Sequence, residues 1–162
     1  MIEIVEKSEA EAITNEIRVE FAAVSDNESF ARMAVAAFIT PLNPTLEELS
    51  DVKTAVSEAV TNAIIHGYEN RNDKKDKVRM SCTLRGDVLE VEISDQGVGI
   101  EDVNAAMEPL YTSKPEMDRS GMGFAFMEAF MDDLEVHSGL NCGTSVRMCK
   151  KIGLNPWIDS EE

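Results

Sequence analysis

An α+β sandwich, one layer of helices on a mostly antiparallel sheet, is the architecture that the patterning of this chain predicts. Three observations lead there. Two stretches carry apolar residues at helical spacing and end at a helix breaker. Several strands alternate apolar and polar residues and pair across tight turns. The length, 162 residues, suffices for one hydrophobic core and falls short of two, so one domain is expected.

Residues 1–15 form an N-terminal extension that no pattern places. Ile17, Val19 and Phe21 then alternate with Arg18 and Glu20, as in a half-buried strand. Ser25 followed by Glu28 is a capping-box pattern, and Phe30, Met33, Ala34, Ala37 and Phe38 recur at helical spacing until Pro41, giving a helix to about Thr40. Thr45 with Glu48 repeats the capping box and opens the long helix. Its apolar stripe is Leu49, Val52, Val56, Val60, Ala63 and Ile64, and Gly67 closes it. The polar run from Glu69 to Asp76 reads as a loop. A strand to about Arg85, a turn at Gly86-Asp87 and a strand from Val88 to Ser94, with Leu89, Val91 and Ile93 on one face, make a hairpin.

From Gly97 to Ser120 the periodicity loosens, apart from a short helix around Val103 to Met107. A long irregular segment inside a compact domain is usually functional or mobile. A helix from about Phe124 to Met131 follows, then strands Leu134–Ser138 and Thr144–Met148 joined across Gly139 to Gly143. Residues 16–150 thus form the domain and 151–162 an acidic tail, expected to fray beyond Gly153.

Composition removes several classes of function. Thirty-one acidic against 15 basic residues give a net charge of −16, which repels nucleic-acid phosphates and anionic membrane surfaces. No apolar run approaches the roughly 18 residues that span a bilayer. The first residues lack a basic and apolar leader, so export is not expected. Cys82, Cys142 and Cys149 form no CxxC pair, which indicates reduced thiols in a cytoplasmic protein and no zinc site. Neither a P-loop nor the glycine-rich loop of the protein-kinase plan occurs.

Three distant stretches carry the candidate chemistry. Glu58 and Asn62 lie roughly 40° apart around the long helix and share one face with Ala55 and His66, away from the apolar stripe. Such pairs are usually a solvated polar face, but the small neighbours leave room for a ligand. An amide oxygen suits Mg²⁺, which keeps waters and phosphates as its other ligands. A carboxylate one turn earlier can deprotonate an attacking hydroxyl.

Asp95 closes a strand and precedes Gly97 and Gly99, which permit positive φ and close backbone approach. An ordinary hairpin exit is the bland alternative. In the functional one, the carboxylate accepts a hydrogen bond from the exocyclic amine of adenine, a donor that guanine lacks there. Gly121 and Gly123 open a helix whose N–H groups could hold phosphate. Lys114 and Arg119 are nearby cations, and Gly143-Thr144 could bring a hydroxyl near the base. His66 and His137 show no ligand or triad pattern.

In order and spacing these stretches resemble the N, G1 and G2 boxes of the GHKL ATPase superfamily of gyrases, heat-shock chaperones, histidine kinases and MutL proteins. Within it, Asn27 to Arg32, Val56 to Tyr68 and Arg119 to Phe124 resemble the small anti-sigma serine kinases of spore-forming bacteria. The resemblance implies a Bergerat-type ATP-binding fold with Glu58 as catalytic base, Asn62 as Mg²⁺ ligand and Asp95 as adenine contact. It also implies a lid from Gly97 to Gly123, carrying Thr112, Lys114 and Arg119, over the phosphates. Members of that family act as dimers. They hold a sporulation sigma factor inactive and phosphorylate a serine of an anti-anti-sigma protein, and Arg32 matches their partner-binding surface. Three other readings stand beside this one. A stress-response anti-sigma kinase would differ in the sigma factor bound. A sequestering module would use ATP without phosphotransfer. A histidine kinase would need a dimerising helical hairpin for which the chain has no room.

Overall fold

In a computed structural model of the chain, residues 12–108 and 123–153 are described. Strand β1 (Asn15–Ala22) leads through a 3-10 turn at Ser25–Asn27 to helix α1 (Glu28–Ile39), and a second 3-10 turn, Thr40–Leu42, leads to helix α2 (Leu46–Asn62). A π-helical segment, Ala63–Gly67, prolongs α2. Strands β2 (Lys77–Arg85) and β3 (Val88–Asp95) follow, then the short α3 (Val103–Ala106), α4 (Gly123–Phe130), β4 (Asp133–Ser138) and β5 (Thr144–Lys151). The α+β sandwich is as the patterning predicts.

The five strands pair antiparallel in the order β1-β2-β3-β5-β4. Their register lines up whole rows of apolar side chains. Val19, Met80, Ile93, Val146 and Val136 are successive cross-strand neighbours, and Ile17, Cys82, Val91, Met148 and Leu134 form the next row. Because side chains alternate faces, a slip of one residue would turn both rows to solvent. Against this face lie Val52, Val56 and Val60 of α2 with Val35 and Ile39 of α1, all fully buried. The opposite face is polar and largely self-paired: Arg147 reaches Glu90 at 2.8 Å and Glu135 at 2.9 Å, and Arg85 reaches Glu90 at 3.3 Å.

At the start of α2 the capping box forms as its residues require. Thr45 Oγ1 accepts from the Glu48 N–H at 3.1 Å, and the Glu48 carboxylate accepts from the Thr45 N–H at 2.8 Å. The same carboxylate accepts from the N–H of Gly153 at 3.0 Å, fastening the end of the sheet to the head of the helix. The box expected at Ser25 does not form. Ser25 lies inside the 3-10 turn, and the reversal is held by Asn27, whose side-chain amide donates to the Ala22 carbonyl at 2.9 Å.

Ala55, expected on the polar face of the long helix, is fully buried. The reason is α4, which packs across α2 and covers a flank that single-helix periodicity leaves open. Among the described residues no helix is long and apolar enough to cross a membrane, and Cys82, Cys142 and Cys149 are all free thiols. The parts of the extension and tail at residues 1–11 and 154–162 lie outside the described residues.

Candidate nucleotide site

A cavity of about 1000 Å³ opens between the C-terminal half of α2 with its π-helical segment, the ends of β3 and β5, and helices α3 and α4. Asn62, Asp95, Gly99, Gly123 and Thr144 all line it. Residues from four separate stretches therefore converge on one space, and each arrives there for a local reason.

At one end stands the α2 pair. One helical turn separates Glu58 from Asn62, and Gly123 of α4 lies directly against both. A methyl group on Gly123 would fall 3.1 Å from the Asn62 Nδ2 and 3.3 Å from the Glu58 Oε2. Glycine is what lets the first described turn of α4 come this near an acid and an amide. Among the described residues no set of three or more His, Cys, Asp and Glu side chains could hold a metal. A cation at Asn62 would therefore draw most of its ligands from outside the protein, which fits Mg²⁺ held between one amide oxygen and substrate phosphates.

At the other end sits Asp95, the buried charged residue of the described chain at 9% exposure. Its Oδ1 accepts from the Gly97 N–H at 2.9 Å, and the Thr144 N–H also donates to the carboxyl group. Burial pushes the group up to about 6, while those two N–H bonds pull the other way. A lone carboxylate at an apolar wall that includes Ile93 and Val146 is suited to accept a hydrogen bond from a flat polar ring.

The segment that follows α2 shapes this end. From Ala63 the helix widens, so that the Tyr68 N–H reaches the Ala63 carbonyl, five residues back, at 2.9 Å. The Gly67 carbonyl then accepts from the Val98 N–H at 2.9 Å. Gly97 and Gly99 are expected to permit positive φ and close backbone approach to a flat ligand, and Gly99 takes the positive φ, at +75°. Gly97 serves a close approach of backbone to backbone: any side chain there would run into the Gly67 carbonyl. Thr144 shares its hydroxyl with Ser138 Oγ at 2.8 Å, at the edge of the cavity.

Among the residues singled out in the sequence, Glu58, Asn62, Asp95, Gly97, Gly99, Gly123 and Thr144 come together here. Arg32 does not. It lies on α1 outside the cavity, 3.9 Å from Glu28, whose other carboxylate oxygen accepts from the Thr61 hydroxyl at 3.2 Å. Phe30 and Met33 beside it are exposed at 52% and 58%. Thr112, Lys114, Arg119 and Gly121 lie outside the described residues, as does most of the expected lid. Sequence reasoning missed Gly67 and Tyr68. The signal was present in the glycine one turn beyond Asn62, read there only as a helix stop. His66 also lines the cavity.

The histidine kinase-like ATPase domain profile matches residues 21–150. The chain belongs to this family. Its curated relatives narrow the likeness further. Proteins named Anti-sigma F factor are 57% identical in Oceanobacillus iheyensis, over 85% of this chain and 93% of the relative, and 56% identical in Clostridium perfringens, over 85% and 97%. One from Clostridium kluyveri is 57% identical over 84% and 94%. Among solved structures, the RsbU and RsbW domains of a Mycobacterium tuberculosis protein share the fold at a TM-score of 0.60 and 19% identity, covering 86% of this chain and 33% of that one.

Proposed function

We propose that the protein is an anti-sigma factor that is also an ATP-dependent protein serine kinase. As a dimer bound to ATP it holds a sporulation sigma factor of the F type inactive, and it phosphorylates the anti-anti-sigma antagonist on a serine. The observation that carries the catalytic half of this reading is the contact of Gly123 with both Asn62 and Glu58 at one end of a cavity whose other end holds Asp95. The names of the relatives support the sigma-factor half.

In this reading adenine lies in the apolar slot with its amine on Asp95, and the phosphates extend toward Gly123. The partner's serine approaches Glu58, which accepts the hydroxyl proton as the oxygen bonds to the γ-phosphorus and the bond to the ADP oxygen breaks. Asn62 would hold Mg²⁺, which would supply charge neutralisation to the phosphates. Lys114 and Arg119 are further cations proposed to meet the phosphates, with Gly121 and Thr112 on the same segment. Arg32, with exposed Phe30 and Met33 beside it, is proposed as the surface for protein partners.

Incubating the protein with γ-labelled ATP and the cognate anti-anti-sigma protein tests this directly. Acid-stable phosphoserine on the partner is expected. Stable binding of the sigma factor with no transfer would leave a sequestering module instead.

A further inference from the structure

Tyr68 follows the π-helical segment and is 4% exposed. Its hydroxyl donates to the Lys77 carbonyl at 2.6 Å and accepts from the Gln96 N–H at 2.8 Å. Lys77 is the first residue of β2, and Gln96 directly follows Asp95 at the end of β3. One phenol therefore ties together two strand ends at the back of the Asp95 turn.

That turn is also held further along, by the Val98 N–H on the Gly67 carbonyl at 2.9 Å and the Gly143 N–H on the Gly97 carbonyl at 3.2 Å. A second cleft of about 200 Å³ lies behind the turn, lined by Tyr68, Asp76, Lys77, Gln96 and by Asp95 itself, which borders both cavities. On the side of this cleft, the Tyr68 hydroxyl is the group that holds the Gln96 N–H in place. The ring is well seated for this task. The Arg71 guanidinium lies 5.7 Å from its centroid and is held by Asp76 at 3.1 and 3.2 Å, while the Asp76 carbonyl accepts from the Ala23 N–H at 2.8 Å. Burial pushes the phenol above its ordinary value, so it keeps the proton it donates.

We propose that Tyr68 is a positioning residue for nucleotide recognition, its hydroxyl setting the depth of the Asp95–Gly97 turn so that Asp95 meets the base. The assignment rests on the adenine-site reading given above. It separates from a purely structural role because the cleft admits water. When the hydroxyl is lost, water can pair the Gln96 N–H and the Lys77 carbonyl, so the fold persists while the turn loses its fixed place.

The test is Tyr68→Phe in the full chain, with dissociation constants for ATP, ADP and GTP measured by calorimetry. ATP and ADP are expected to weaken alike, by about tenfold, with GTP unchanged and the melting temperature within a few degrees of the parent. Unchanged ATP affinity overturns the proposal, and so does a loss shared equally by GTP. Asp95→Asn is measured in parallel. If it weakens ATP binding and Tyr68→Phe does not, only the positioning role falls. If Asp95→Asn leaves ATP binding intact, the adenine site and the positioning role fall together. Should Tyr68→Phe not fold, Tyr111→Phe protein labelled with 3-fluorotyrosine carries its sole tyrosine at position 68. A shift of that fluorine resonance on ADP binding supports the proposal, and an unmoved resonance overturns it.

Discussion

Gly67 stands so close to Asp95 that a methyl group on it would fall 2.8 Å from the carboxylate Oδ1 and 2.9 Å from Cγ. The backbone of one residue thus forms the wall against which the site's buried acid rests.

Gly67→Ala should consequently weaken ATP and ADP binding about tenfold or more, since Asp95 must leave its bonds to Gly97 and Thr144 to make room. The backbone there is not left-handed, so alanine itself is tolerated. Calorimetric titration together with a melting curve should find affinity lost and the fold kept.

Asp95 should make the apo protein less stable as pH rises. Its folded value of about 6 lies above the ordinary 3.8, so between those values the folded state holds more protons than the unfolded one. The favourable contribution is full below about 4 and is gone above about 6, a swing on the order of 3 kcal/mol. Asp95→Asn should therefore raise the melting temperature at pH 7.5, lose that advantage near pH 4, and bind ATP more weakly throughout. Parallel thermal scans and titrations across this range check the sign.

Glu58→Gln should keep ATP affinity within about twofold and slow phosphoryl transfer by about 10² to 10⁴, the usual worth of a general base. Single-turnover transfer to the anti-anti-sigma protein is the measurement, and a fully active variant would refute the assignment.

Gly123→Ala should act at the opposite end of the cavity from Gly67→Ala. Its methyl meets Asn62 and Glu58, not Asp95, so ADP without metal should bind nearly as before while Mg²⁺-dependent ATP binding and transfer fall. Comparing the two alanine variants with and without a chelator separates the base end from the phosphate end.

Chelation should also weaken ATP binding to the unaltered protein by about tenfold or more. The described lining includes Glu69, Asp95, Glu101, Asp102 and Glu108 and no lysine or arginine, so bare triphosphate meets like charge there. Displacement of a fluorescent nucleotide with and without EDTA measures the difference.

Much of this was legible in the sequence because it is local. The Thr45 box and the alternation in β2 and β3 are determined by neighbouring residues, and Glu58 with Asn62 follows from helical spacing. What was not legible depends on contacts between distant segments. Ala55 is buried because α4 arrives from elsewhere, and the Ser25 box gives way to an Asn27 bond back to β1. Gly97 matters through the Gly67 carbonyl and Tyr68 through two strand ends, pairings that no window around either residue contains.

The widened turn at Ala63–Gly67 has a bearing on insertions and deletions. The i→i+5 closure from Tyr68 to Ala63 takes up one residue more than an ordinary helical turn, so removing Ile65 restores ordinary winding and leaves the positions beyond it in nearly the same phase. Gly67 then stays beside Asp95, whereas an added residue, with the wide turn already taken, swings it away by about 100°. This stretch therefore tolerates the loss of one residue better than the gain of one.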